Sequence, residues 1–456
     1  MPDHASRRWA LLLASLASFL TPFMSSSLNV ALPVIGREFE MDAVSLSWVP
    51  TSFLLAAAVL LVPVGRLADL YGRKKMFTRG MALYVAASAL ATFSTTGSVL
   101  IAARILQGIA GAMTFGVAVA ILTSVYPAEE RGKALGISTA SVYVGLSIGP
   151  FAGGYLTGQL GWRSIFLVAM LPGLLMLALI AVGLKGEWAS AKREKLDLKG
   201  SLIYSIALIA LMLGLSRLPD ATAWALAGGG VLGMLLFVNV EERAESPVLD
   251  TRLFRSNRVF AFSNLAALIN YSATFAVGFL LSLYLQYVRG MTPQEAGAIL
   301  VAQPVVMAIG SPYAGRLSDR VEPRIVASWG MGLIVLGLLP FVVLGEATPI
   351  ALIIAALVVL GMGFALFSSP NTNAVMSSVD RELYGVAAGA LATMRMTGQM
   401  LSIGIAMFIF ALFVGRVQVT PENTMRFLIS VNVAFAVFAI LCVAGVFASL
   451  ARGRVR

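Results

Sequence analysis

The stretch Gly65-Arg66-Leu67-Ala68-Asp69-Leu70-Tyr71-Gly72-Arg73-Lys74-Lys75 decides how this 456-residue chain is built. It follows an apolar run, 52–64, and precedes another that begins near Met81. A short charged break between two long apolar segments reads as a tight loop between membrane helices. Gly65 and Gly72 let the helix ends approach, and Arg66, Arg73, Lys74 and Lys75 hold the loop on the cytoplasmic side. Asp69 stands apart as a carboxylate at a membrane surface that needs a task. The phrase returns as Gly315-Arg316-Leu317-Ser318-Asp319-Arg320, again behind an apolar run. Repetition of such a loop implies two homologous halves.

Composition agrees. Hydrophobic residues make up 59% of the chain and charged residues 12%, against roughly 25% charged in a soluble domain. One water-soluble core cannot hide this much apolar surface, so the chain reads as an all-α polytopic membrane protein. Its net charge of +11 does not point to nucleic acid. The basic residues sit in short loops between apolar runs, which is the positive-inside pattern of a membrane protein. Cys442 and His4 each stand alone, so no disulfide framework, metal centre or cofactor is expected.

Apolar spans of about 20 residues recur along the chain. Arg7 and Arg8 precede 9–32, which is too long for the core of a signal peptide and reads as an uncleaved first span. Further spans follow near 46–64, 80–94, 98–124, 134–158 and 163–184. After a polar linker at 185–199 come two more, 201–216 and 221–240, then an amphiphilic connector at 241–258. Six further spans lie near 259–288, 294–314, 324–343, 348–369, 384–412 and 426–450. The expectation is fourteen spans in three units: a six-helix bundle over 1–184, a linker with two extra helices over 185–258, and a second six-helix bundle over 259–456.

Parity supports the count. An even number of inserted helices keeps 315–320 on the same side as 65–75. Of the 33 Lys and Arg, six fall on the opposite side (Arg37, Arg163, Arg217, Arg289, Arg416, Arg426) and two within spans (Arg104, Arg395), leaving 25 on the loop side. That imbalance places both termini in the cytoplasm.

The repeated loop phrase resembles the signature between helices 2 and 3 of the major facilitator superfamily of secondary transporters. Six, two and six spans resemble its fourteen-helix drug–proton antiporter branch. Arg104-Ile-Leu-Gln107-Gly108-Ile-Ala-Gly111 is similar to the branch's helix 4 signature. Gly145-Leu-Ser-Ile-Gly149-Pro150-Phe-Ala-Gly153-Gly154 is similar to the helix 5 signature associated with exporters. Trp162-Arg163, Trp48-Val-Pro-Thr-Ser-Phe53 and Asn29-Val-Ala-Leu-Pro33 also fit.

The motifs carry physical readings of their own. Gly145, Gly149 and Gly153 recur every four residues and form a smooth stripe for close helix packing, and Pro150 permits a bend. The resemblance adds that this packing joins helix 5 to the other half. Gly228-Gly229-Gly230 in the inserted pair receives only the packing reading. The serines of Ser25-Ser26-Ser27 read equally as packing or cavity residues, whereas Asn29 is expected at a cavity.

Arg104 within a span costs roughly 2.5–3.5 kcal/mol on insertion scales, so it is expected on a polar cavity with Gln107 on the same face. Arg395 and Gln399 form a similar pair in the second half. For either arginine the alternative is a structural one, bonded to neighbouring carbonyls. Asn270, Gln286, Gln303 and Asn371-Thr372-Asn373 add polar groups to the second half. The expected sets are therefore a cytoplasmic gate (Gly65, Asp69, Gly72, Arg73, Gly315, Asp319), a central cavity (Asn29, Arg104, Gln107, Asn270, Gln303, Asn373, Arg395, Gln399) and a packing stripe (Gly145, Gly149, Pro150, Gly153, Gly154).

No phosphate-binding loop points to an ATP-driven pump. All acidic residues fall in loops or at span ends, and Met24 occupies the position where the branch often has an acid. The leading expectation is a monomeric secondary exporter of amphipathic small molecules, proton-driven and lodged in the inner membrane of a bacterium. Export of an endogenous metabolite, lipid or anion is the first alternative. A receptor or scaffold without transport is the second, opposed by intact motifs in both halves.

Overall fold

The computed structural model describes residues 4–126, 128–183, 197–244, 251–380, 383–420 and 422–453. Every regular element among them is helical, as a lipid-immersed backbone requires when it cannot bond to water. The first bundle comprises α1 (His4–Glu38), α2 (Ala43–Tyr71), α3 (Arg73–Thr92), α4 (Gly97–Val125), α5 (Ala128–Leu160) and α6 (Arg163–Gly183). The inserted hairpin is α7 (Leu198–Arg217) and α8 (Ala221–Glu241), followed by the short α9 (Thr251–Ser256). In the second bundle one span is built from α10 (Arg258–Thr274), α11 (Val277–Leu283) and a π-helical turn (Tyr284–Val288). The next is α12 (Pro293–Leu300) with α13 (Ala302–Arg320), and the last four are α14 (Pro323–Val342), α15 (Ile350–Ser377), α16 (Tyr384–Phe413) and α17 (Thr424–Ala451).

Thirteen segments among the described residues are long and apolar enough to cross a membrane. Helix α3 is the fourteenth by position. At 20 residues it matches α7 and α14 in length, but its first two turns carry Arg73, Lys74, Lys75 and Arg79, which lower its mean hydropathy.

Local chemistry sets several helix starts. The Asp42 carboxylate accepts from the backbone N–H of Val44 and Ser45, both at 2.9 Å. Thr96 caps α4 and Asn257 caps α10 in the same way, and Thr292 with Glu295 forms a reciprocal capping box at α12.

The loops read from the repeated phrase prove to be helix. Residues 65–71 continue α2 and 315–320 end α13, because Arg, Leu and Ala extend a helix readily once it leaves the apolar layer. Only Gly72 turns. Its N–H closes α2 on Ala68 O at 3.0 Å, its carbonyl starts α3 by accepting from Met76, and its φ of 109° suits glycine alone.

In the first bundle α1 lies along α5, and α4 packs against both α2 and α3. In the second, α15 packs on α13 and α14, and α10 on α16 and α17. The bundles meet where α5 touches α12 and α13, α2 touches α16, and α1 touches α11. Helix α7 lies against α2 and α16, one from each bundle. Within the hairpin, Gly214 abuts Ala227 and Gly230 abuts Leu211, whereas a Cβ on Gly228 or Gly229 would meet nothing within 4 Å.

Candidate functional site

Successive spans put the α2–α3 and α13–α14 turns at one end of the molecule, the basic end, and the starts of α2 and α12 at the other, the far end. At the far end the bundles are bonded together. Gln286 Nε2, on the π-helical turn, donates to Val30 O at 2.8 Å and to Ser282 Oγ at 3.1 Å. Tyr287 Oη donates to Pro33 O at 3.2 Å, and Thr51 Oγ1 on α2 approaches Met407 Sδ on α16 at 3.7 Å. Insertions of π-turn are frequent at functional positions because they rotate side chains out of α-helical register.

The glycines of α5 divide between two faces. A Cβ on Gly145 or Gly153 would collide with the α1 backbone at Phe19 or Ser27, and one on Gly149 with Ser26 Oγ. The expected stripe therefore closes α5 onto α1 within its own bundle, not onto the other half. Ser27 Oγ donates to Gly149 O at 2.9 Å, which settles that serine as a packing residue. The face that meets the second bundle is the next one round: Pro150 O abuts Gly297, Gly154 abuts Pro293 O, and Gly158 abuts Gln294.

Arg104 is sealed, with 1% of its surface exposed. Its Nε donates to Val49 O at 3.2 Å and its Nη1 to Gln107 Oε1 at 2.7 Å, while the guanidinium lies 4.5 Å from the centre of the Phe53 ring. Gln107 Nε2 continues to Ser88 Oγ at 2.8 Å. The chain of bonds ties α4 to α2 and α3. It offsets the cost of a charge in the apolar layer by hydrogen bonds and an aromatic face, with no carboxylate among the described residues paired to it. The expectation of a cavity-facing Arg104 is not met in this conformation, because two flanking helices cover the side chain.

Arg395 is half-buried. Its guanidinium stands 5.0 Å from the centre of the Tyr271 ring, and it has no ion-pair partner among the described residues. Gln399 one turn on is also half-buried, so this pair and not Arg104–Gln107 borders open space. Asn29 is half-buried and faces Gly278 across the seam. Gln303 is half-buried on α13. Asn270 is fully buried inside the second bundle, and neither of its amide atoms has a partner among the described residues. Asn373 donates to Ser318 Oγ at 3.3 Å, tying α15 to the end of α13.

At the basic end Arg73 Nη1 donates to Ala120 O on α4 at 3.0 Å. A Cβ on Gly65 would meet nothing within 4 Å, and one on Gly315 would sit 3.1 Å from Ser369 Oγ. The side chains of Asp69 and Asp319 lie outside the described residues.

Three residues of the assembly were missed by sequence reasoning. Glu38 accepts from Trp162 Nε1 and from Arg163 Nη1, both at 2.6 Å, so the expected Trp-Arg pair is a clamp on the end of α1. Arg163 Nη2 also reaches Ser94 O at 2.8 Å, and its guanidinium stacks 4.3 Å over Trp162. Arg452, counted as one more loop charge, is fully buried. It donates to Asn371 Oδ1 at 3.0 Å, Ser263 Oγ at 3.2 Å, Pro323 O at 3.2 Å and Ser449 Oγ at 3.0 Å. Burial pulls its pKa down to about 10, which leaves it charged at neutral pH. Ser402 is the third: its Oγ accepts the Ala276 N–H at 3.0 Å, satisfying the backbone where α10 gives way to α11. No periodic or charge signal marks a hydroxyl in that role.

Two helical bundles joined across the membrane by a seam of small and polar residues define a multi-pass carrier. The chain belongs to the Major Facilitator Superfamily, whose family model matches residues 14–403, and is a transporter, not an enzyme. Among curated proteins it is 34% identical to the cephamycin export protein CmcT of Amycolatopsis lactamdurans, over 85% of this chain and 82% of that one. It is 32% identical to the multidrug resistance protein Stp of Mycobacterium tuberculosis (87% and 74%) and 26% identical to the riboflavin transporter RibZ of Clostridioides difficile (96% and 96%). Among solved structures, a bacterial homolog of the human lysosomal transporter Spinster superposes with a TM-score of 0.72 at 17% identity, over 99% of this chain and 98% of that one.

Proposed function

We propose that this transporter exports amphipathic small molecules by alternating access, coupled to protons. The observation that carries the reading is the asymmetry of the seam. Gln286 and Tyr287 bond the bundles at the far end, whereas Arg395 and Gln399 remain partly open between them. Rocking of the 1–184 bundle against the 259–456 bundle, with 185–258 as an accessory hairpin, would expose such a cleft to each side in turn. In this reading the basic end, by its share of Lys and Arg, faces the cytoplasm with both termini inside, and the chain works as a monomer in the inner membrane. The gate is assigned to the α2–α3 turn, with Asp69 and Arg73, and to its repeat at Asp319. Similarity to CmcT and Stp supports export of drug-like compounds.

The match to RibZ over nearly all of both chains favours a second reading, carriage of an endogenous metabolite. Flux in proteoliposomes tests both. A panel of neutral, anionic and cationic amphiphiles and riboflavin is followed under an imposed pH gradient. Gradient-dependent movement of the amphiphiles is expected. Movement of riboflavin alone would favour the second reading, and flux indifferent to the gradient would remove proton coupling.

A further inference from the structure

Of the two arginines within spans, one is fully enclosed and one is not. Arg104 has its donors directed to Val49 O and Gln107 and its face against Phe53. Its charge is walled off from the space between the bundles. Arg395 keeps part of its surface open. On α16, Leu391 and Gly398 face α10 and are buried, Met400 on the opposite flank is buried too, and Ile403, one turn beyond Gln399, closes the strip at that end. Between those flanks Ala388, Ala392, Met396 and Gln399 are all partly exposed, with Arg395 at the α10 edge of the same strip. This face is a shallow apolar wall ending in one guanidinium and one amide.

The surroundings fix the sign of what fits there. Tyr271 supplies the ring under Arg395 and is itself held edge-on by Phe364, with centroids 5.5 Å apart. Tyr143 and Leu146 of α5 pack against this aromatic cluster from the other bundle, so the guanidinium lies at the junction of the two halves. No described carboxylate pairs with Arg395, and the described acidic residues between Glu322 and Glu422, Glu346 and Asp380, lie in the connections between helices. A half-buried guanidinium that stacks on a tyrosine and has no described carboxylate to pair with is completed by an anion, through paired N–H···O bonds in one plane.

We propose that Arg395, stacked on Tyr271 at the junction of the bundles, is an anion-recognising group of the cleft, and that the chain's substrates are amphiphiles carrying a single carboxylate or sulfonate beside an apolar body. Gln399 binds the second polar atom of that head group, and the strip Ala388–Ala392–Met396 receives the apolar body. The inference rests on the export reading for the word substrate. Its test is a binding measurement, so a chain that binds anions and moves nothing would defeat the export reading and leave this one standing.

The probes are 2-naphthoate and its neutral isostere 2-naphthamide, titrated by calorimetry against full-length protein in phosphatidylcholine nanodiscs. Wild type is expected to bind the carboxylate about tenfold more tightly or better, the scale of one charge-assisted hydrogen bond. Arg395→Gln should remove that preference while leaving the amide within about twofold, and Arg395→Lys should keep part of it, since lysine retains charge but not the planar fork. Thermal unfolding of both variants checks that they are folded; the lysine variant carries the test if the glutamine variant is not. Displacement of 2-naphthoate by added phosphatidylglycerol would confirm the site and make a lipid head group its occupant. Equal affinities in wild type, no binding of the carboxylate, or a preference that survives Arg395→Gln would each overturn the proposal.

Discussion

Gln286 on the π-helical turn of the second bundle donates its amide N–H to Val30 O on α1 of the first, at 2.8 Å. Both residues are buried, and the same amide is steadied by Ser282 Oγ. The bond crosses the seam at a point where α1 is already interrupted in its own ladder by Pro33. Removing it should loosen the far end. Gln286→Ala is expected to shift the population toward the far-end-open state by about 0.5–1.5 kcal/mol, the net worth of a typical hydrogen bond. Distances between spin labels at Glu40→Cys and Met291→Cys, in a Cys442→Ala background, report it. An unchanged distance distribution would show that the bond is incidental to closure.

The two glycine faces of α5 should separate folding from gating. Gly149→Leu forces a side chain into Ser26 and the α1 backbone, and is expected to reduce the yield of folded protein. Gly154→Leu presses on Pro293 across the seam instead. It should yield folded protein that cannot close at the far end, with flux lost and thermal unfolding near wild type. Equal losses of yield would contradict the division.

The clamp at the end of α1 should show unequal dependence on its members. Glu38→Ala leaves the buried Trp162 N–H without its acceptor, which costs about 1–3 kcal/mol. Arg163→Lys disturbs a half-exposed ion pair and should cost less than about 1 kcal/mol. Thermal unfolding of the purified protein ranks them, and the reverse order would refute the assignment.

Arg104 is expected to be indispensable through its network. Arg104→Ala removes the bridge from α4 to α2 and strands Gln107, so flux per folded molecule should disappear and stability should fall by about 3–5 kcal/mol, as when one partner leaves a buried charged set. Arg104→Lys should retain only part of both, because an ammonium cannot span Val49 O and Gln107 Oε1 as the guanidinium does. Wild-type flux in Arg104→Ala would show the network to be dispensable.

The sequence by itself determined the membrane class, a series of thirteen to fourteen spans and the family, because span length and a repeated charged phrase are properties of contiguous residues. It also marked the positions with unusual demands: Gly72, the glycines of α5, Arg104 and Arg395. It did not determine what those positions face. A helix presents every side chain to some neighbour, and which neighbour depends on the rotation of one helix against another. That rotation put Gly149 on α1 and Gly154 on α12, enclosed Arg104 between α2 and α3, and left Arg395 at the seam. Glu38, Ser402 and Arg452 were unreadable for the same reason. Their partners lie 124, 126 and, Ser449 apart, 81 or more positions away in the chain, and only packing in three dimensions brings those groups within bonding distance.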